Sequence, residues 1–103
     1  MIIDATTTDD MDLTAEGLTV VDFYRDDCRF CDMLAPVLDD VAFELPVARF
    51  VKVNCSRVDG LAAAQQIQTF PTTKLFKNGE VVDSIVGFVP ASVLIERIGK
   101  HLY

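Results

Sequence analysis

Val20-Val21-Asp22-Phe23-Tyr24-Arg25-Asp26-Asp27-Cys28-Arg29-Phe30-Cys31 is the stretch on which the reading of this chain turns. It starts as a run of β-branched and aromatic residues, the pattern of a buried strand. It ends in C-x-x-C. An amphipathic helical pattern follows at once, with Phe30, Leu34, Val37, Leu38, Val41 and Leu45 on one stripe and Asp32, Asp39, Asp40 and Glu44 between them. The two cysteines therefore fall where a strand stops and a helix starts. Backbone N–H groups at a helix N-terminus are unpaired and carry partial positive charge. A thiolate placed there is stabilised and becomes a usable nucleophile near neutral pH. The spacing thus predicts a redox-active dithiol.

Outward from this junction, residues 1–5 suit an edge strand, residues 8–13 a capped helical turn, and residues 18–24 the central strand. The helix over residues 28–44 contains Pro36, which should kink it, and Pro46 lies just past its end. Residues 48–55 read as a strand interrupted by Lys52, and residues 58–66 as a short helix with three alanines. Residues 68–72 form a loop. Residues 73–76 and 80–86 are strands joined by Asn78-Gly79, the dipeptide of a two-residue hairpin. A last helix runs to about residue 102, with Pro90 near its first position. The order implies an α/β fold with a parallel centre, an antiparallel hairpin at one edge and helices on both faces. A length of 103 residues fits one domain over 1–103.

Half of the residues are apolar, enough for a core without disulfide staples. A net charge of −7 disfavours nucleic acid and anionic membranes as partners. No apolar run approaches the roughly 20 residues of a membrane span, and the N-terminus lacks the basic and apolar regions of a signal peptide. Three cysteines are too few for a secreted disulfide scaffold. A cytoplasmic protein is expected. Structural zinc would need four ligands, and only Cys55 and His101 could join the C-x-x-C pair, without paired spacing; no metal is expected.

Together these residues resemble the thioredoxin family across essentially the whole chain. Asp22 stands six residues before Cys28, Pro36 five after Cys31, and Phe70-Pro71-Thr72 about 40 residues further on. Phe76-Lys77-Asn78-Gly79-Glu80 and Val86-Gly87 match the family's hairpin and the glycine that follows. The departures are also specific. Asp27-Cys28-Arg29-Phe30-Cys31 stands where the family usually has Trp-Cys-Gly-Pro-Cys, and the chain has no tryptophan. Asp32 replaces a common lysine. Gln66 stands where a glycine is expected after the short helix, so that helix must end another way or accept left-handed strain. The resemblance implies a thioredoxin fold, a central mixed sheet with helices on both faces.

The residues, read beside that resemblance, lead to expected roles. Cys28 is the attacking nucleophile and, at the junction, should be the more exposed cysteine; Cys31, one turn on, resolves the mixed disulfide. Asp22, in an apolar strand, could exchange a proton with Cys31, or be a strand-end aspartate in water. Lys52 could partner Asp22, or snorkel from an edge. Pro71 resembles the family's cis-proline, the alternative being an ordinary trans turn. Phe30, Phe70, Gly87 and Phe88 are the expected client-binding residues, the aromatic ones forming an apolar collar; plain core packing is the alternative for each, and Phe30 and Phe88 should be the more exposed. Arg29 and Asp27 are expected to tune the pair. Cys55 either fills the core or acts as a regulatory thiol, and His101 is expected at the surface. The implied function is reduction of protein disulfides by a monomer that needs no bound cofactor but needs an electron donor of the thioredoxin-reductase type. The rivals are a thioredoxin-like protein of more oxidising or specialised role, and a non-catalytic binding module on the same fold.

Overall fold

Residues 2–5 and 16–102 are described by the computed structural model of the chain; the helical turn expected over residues 8–13 lies outside them. Five strands form one sheet: β1 (Ile2–Ala5), β2 (Leu18–Tyr24), β3 (Arg49–Asn54), β4 (Thr72–Lys77) and β5 (Glu80–Val86). Their spatial order is β1-β3-β2-β4-β5. β1, β3 and β2 run parallel, whereas β4 is antiparallel to β2 and β5 to β4. Three helices complete the described fold: α1 (Arg29–Glu44), α2 (Leu61–Ala64) and α3 (Ala91–His101).

β2 is central, and six of its seven residues are buried, as a strand covered on both faces requires. Side chains alternate between faces along it. Leu18 and Val20 join Leu34, Leu38 and Val41 of α1 and Leu94 and Ile98 of α3 in one core. Val21 and Phe23 point the other way, into a second core with Val51, Val53, Leu61, Ile67 and Phe76. Asp22 therefore lies on the α1 face of an otherwise apolar strand. α1 continues through Pro36 for its full 16 residues.

Asn78 (φ 51°) and Gly79 (φ 89°) both take positive φ, the geometry of the predicted two-residue hairpin turn. The Asn78 side chain accepts a bond from the Gly17 amide at 2.8 Å, and the Asn78 amide donates to the Gly17 carbonyl at 3.0 Å. Along the hairpin Leu75 faces Asp83 but Phe76 faces Val81, so Val82 is an extra residue and β5 carries a bulge.

Two helix boundaries differ from expectation. α2 covers only Leu61–Ala64 of the expected 58–66, because Gly60 at its N-cap is left-handed (φ 75°) and interrupts any earlier helical turn. Pro90 is the extended N-cap of α3, one residue before the expected first helical position. α2 ends in a Schellman arrangement: the Ile67 amide donates to the Ala62 carbonyl at 2.7 Å and the Gln66 amide to Ala63 at 3.1 Å. Gln66 sits at φ 58° in the position usually given to glycine, so this helix accepts the left-handed strain. Gln66 is exposed and Gly removes the Cβ conflict. Gln66→Gly is expected to stabilise the fold by about 0.5–1 kcal/mol, less the extra chain entropy of glycine. A urea midpoint that falls instead would show that the side chain earns its place by contacts.

α3 is fastened to β5. Arg97 donates to Asp83 through Nε at 2.8 Å and again through Nη2, and His101 Nε2 lies 3.3 Å from the same carboxylate. Hydrogen bonding from Arg97 is the main cause that holds the Asp83 carboxyl at about 2. His101 is thus half-buried in a clasp rather than free at the surface.

Candidate active site

Cys28 is the N-cap of α1. Its sulfur accepts a hydrogen bond from the Cys31 amide at 3.2 Å, in place of the usual side-chain oxygen, and its carbonyl accepts from the Asp32 amide at 3.1 Å. Cys28 and Cys31 form a disulfide with their Cα atoms 5.2 Å apart. The expected contrast in exposure is absent: Cys28 is 5 % and Cys31 4 % exposed. The bond itself explains this, since it draws the Cys28 sulfur over the first turn and against its partner. The intervening Arg29 and Phe30 point outward instead, Phe30 being 55 % exposed.

The loop that delivers Cys28 is braced by Arg25, Asn54 and Ser56, which the sequence reading did not single out. Asp27, just before the cysteine, has φ 52°. Arg25 donates through Nη1 to the carbonyls of Asp26 (3.2 Å) and Asp27 (3.3 Å), and its guanidinium lies 5.7 Å from the centre of the Phe70 ring. The Asp26 amide donates to Ser56 Oγ at 3.0 Å, and Asn54 Nδ2 donates to Asp26 Oδ1 at 2.8 Å. Asn54 ends β3 directly beside Tyr24, the last residue of β2. A polar residue closing a strand next to a chemically marked loop was the available signal.

Asp22 is 4 % exposed, and its Oδ1 has no hydrogen-bond partner among the described residues. Burial raises its carboxyl from 3.8 to about 7, with Lys52 pulling the other way. Lys52 lies opposite Asp22 in the parallel pairing of β2 and β3. A cleft of about 170 Å³ is lined by Asp22, Tyr24, Cys31, Asp32, Ala35 and Lys52. Three expected residues, Asp22, Cys31 and Lys52, thus share one space. Tyr24 was not anticipated there, although it stands two residues after Asp22 and strand periodicity puts both on one face.

The Phe70–Pro71 peptide bond is cis. Pro71 is buried, and its carbonyl accepts from the Gly87 amide at 2.7 Å. Phe70 is half-buried against the second core, whereas Phe88 is 37 % exposed. Cys55 is half-buried beside the same core, and burial first, then Asp22, pushes its thiol up to about 11. A thiol that stays protonated at neutral pH is a poor nucleophile, which suits core filling rather than exchange. A larger recess of about 560 Å³, lined among the described residues by Asp4, Ala5, Tyr24, Asp26, Asn54, Arg57 and Val58, touches neither thiol of the pair.

Residues 3–100 match the family model described as Thioredoxin. The chain is similar to the thioredoxin of Staphylococcus epidermidis, 38% identical over 104 residues that cover 99% of this chain and 100% of that protein. It is also similar to the chloroplastic M-type thioredoxin of Spinacia oleracea, 40% identical over 91 residues, which cover 87% of this chain but only 50% of that longer protein. Among solved structures, Plasmodium falciparum thioredoxin superposes with a TM-score of 0.88 at 28% identity, covering 96% of this chain and 98% of that one.

Proposed function

This chain belongs to the thioredoxin family, and on that premise we propose that it reduces protein disulfides by relay through Cys28 and Cys31. The Cys28 thiolate attacks one sulfur of a client disulfide, and the other client sulfur leaves and takes a proton. Cys31 then gives its proton to Asp22 and attacks the Cys28 sulfur. The second client thiol is released, and the client has gained two electrons and two protons. The observation that carries the reading is the cleft shared by Cys31 and Asp22, with the Asp22 carboxyl titrating near neutrality. A base of that strength can take a thiol proton and return it at working pH. Lys52 limits how far burial raises that carboxyl.

Phe30 and Phe88, exposed, offer apolar contacts to a client, and Phe70, Pro71 and Gly87 are the further client-binding residues of this reading, Gly87 bonded through its amide to the Pro71 carbonyl. The oxidised protein is returned to the dithiol by a reductase of the thioredoxin-reductase type, and no bound cofactor takes part. We place this electron carrier in the cytoplasm as a monomer; among the described residues no helix is long and apolar enough to cross a membrane. The test is catalysed precipitation of insulin in dithiothreitol: acceleration over the uncatalysed rate is expected, and none would leave only a binding role.

Arg29 is exposed in the first turn of α1, one residue from the nucleophile. Its cation favours the Cys28 thiolate and so the reduced form, while Asp27 opposes it. Arg29→Gln is expected to make the potential more negative by roughly 5–20 mV, a shift that shrinks at high salt. Equilibration with glutathione at low salt reads it; an unmoved potential would remove Arg29 as a tuning residue.

A further inference from the structure

Lys52 stands in the middle of a charged row that crosses three parallel strands. Asp4 of β1 lies opposite Lys52 of β3, and Lys52 lies opposite Asp22 of β2. Paired residues of adjacent strands point to the same face. One ammonium group therefore has a carboxylate on each side, Asp22 buried and Asp4 exposed at the sheet edge. Tyr24 links the two ends. Its hydroxyl donates to Asp4 Oδ1 at 3.5 Å, and Lys52 Nζ lies 6.0 Å from the centre of its ring. Among the described residues Lys52 is committed to no close ion pair with either carboxylate.

We propose that Asp4 is a positioning residue for the proton transfer: by sharing the Lys52 ammonium from the sheet edge, it keeps Asp22 basic enough to accept the proton of Cys31. The proposal rests on the reading of Asp22 as that acceptor. The groups that face Asp22 are few. Tyr24 of β2, Cys31 and Asp32 of α1 and Lys52 of β3 line its cleft, Cys55 beyond β3 feels its charge, and Thr73 opposite it on β4 is neutral. Lys52 is the one cation in this set, so its position is the strongest charge lever on Asp22. A lone Lys52 would settle against Asp22 and stabilise the carboxylate, making a weaker base. A second carboxylate on the other side of Lys52 divides that attraction.

The experiment compares the pH profile of disulfide reduction between pH 5 and 9 for the whole protein and for Asp4→Asn, Asp4→Glu and Asp22→Asn. Asp4→Asn is expected to move the midpoint down by about 0.3–0.5 on the pH scale, which on the acid side is about a two- to threefold faster rate. The shift should shrink at high salt, and Asp4→Glu should restore the wild-type midpoint. The Asp22 carboxylate, followed by infrared difference spectroscopy, should titrate lower by the same amount in Asp4→Asn. A midpoint unmoved by Asp4→Asn, with a profile flattened by Asp22→Asn, overturns the sharing and leaves the acceptor standing. A profile that Asp22→Asn leaves unchanged removes the acceptor and the sharing with it.

Discussion

Cys31→Ser is expected to turn the protein into a trap that holds clients as mixed disulfides on Cys28, while Cys28→Ser neither turns over nor traps. The two sulfurs are equally hidden in the oxidised protein, so the asymmetry is not visible there as exposure. It comes from position on α1. Cys28 caps the helix and receives an amide hydrogen bond on its sulfur, the arrangement that stabilises a thiolate. Cys31 is one turn in and faces the Asp22 cleft, placed to act second. Its attack on the mixed disulfide is intramolecular, and the advantage of such proximity is many powers of ten in effective concentration. Serine at position 31 removes that step entirely, so steady turnover should fall by at least about 10³-fold. Non-reducing electrophoresis after exposure to oxidised client reads the trapped species. Equal trapping by the two variants would exchange or erase the assigned roles.

Asp22→Asn should slow reduction and stabilise the oxidised fold at the same time. The folded carboxyl titrates near 7 against 3.8 unfolded. Between those values the folded protein holds a proton that the unfolded chain has released, so stability falls as pH rises through that window and levels off above it. Asparagine does not titrate and escapes the loss. The variant should therefore gain on the order of 3–4 kcal/mol at pH 8 and almost nothing near pH 4. Urea midpoints at the two pH values measure the difference, and an equal gain at both would point to packing rather than charge. The rate of client reduction should drop by about 10²-fold, as expected when a positioned base is lost. Wild-type speed across neutral pH would mean that Cys31 finds its acceptor elsewhere.

Much of this was legible in the chain. The run from Val20 to Cys31 announced strand, redox pair and helix; Asn78-Gly79 announced the hairpin; charges inside apolar strands marked Asp22 and Lys52; and the resemblance marked Pro71. The charge on Asp22 stood out because an apolar strand has no other reason to carry it. Less legible were features that depend on two distant segments meeting. The helix start at Gly60 could be seen only as a glycine, not as a left-handed N-cap. The equal burial of the cysteines depends on the disulfide between them. His101 read as a surface residue because Asp83, its partner, lies on a strand whose angle to α3 no local pattern reveals. Asp4 and Tyr24 acquire meaning only from strand register, which links residues far apart in sequence.

The bulge at Val82 bears on how the protein behaves when crowded with copies of itself. β5 is an outer strand, and Val81, Val82 and Val86 on it are all exposed. A flat outer strand with such a surface offers unpaired amides and carbonyls beside sticky side chains, a template on which further chains can stack. The extra residue breaks the even spacing of those groups and twists the rim of the sheet. An incoming strand can pair on one side of the bulge but loses step on the other. The irregularity is thus a guard against aggregation, stationed at the rim that the aliphatic surface leaves most vulnerable.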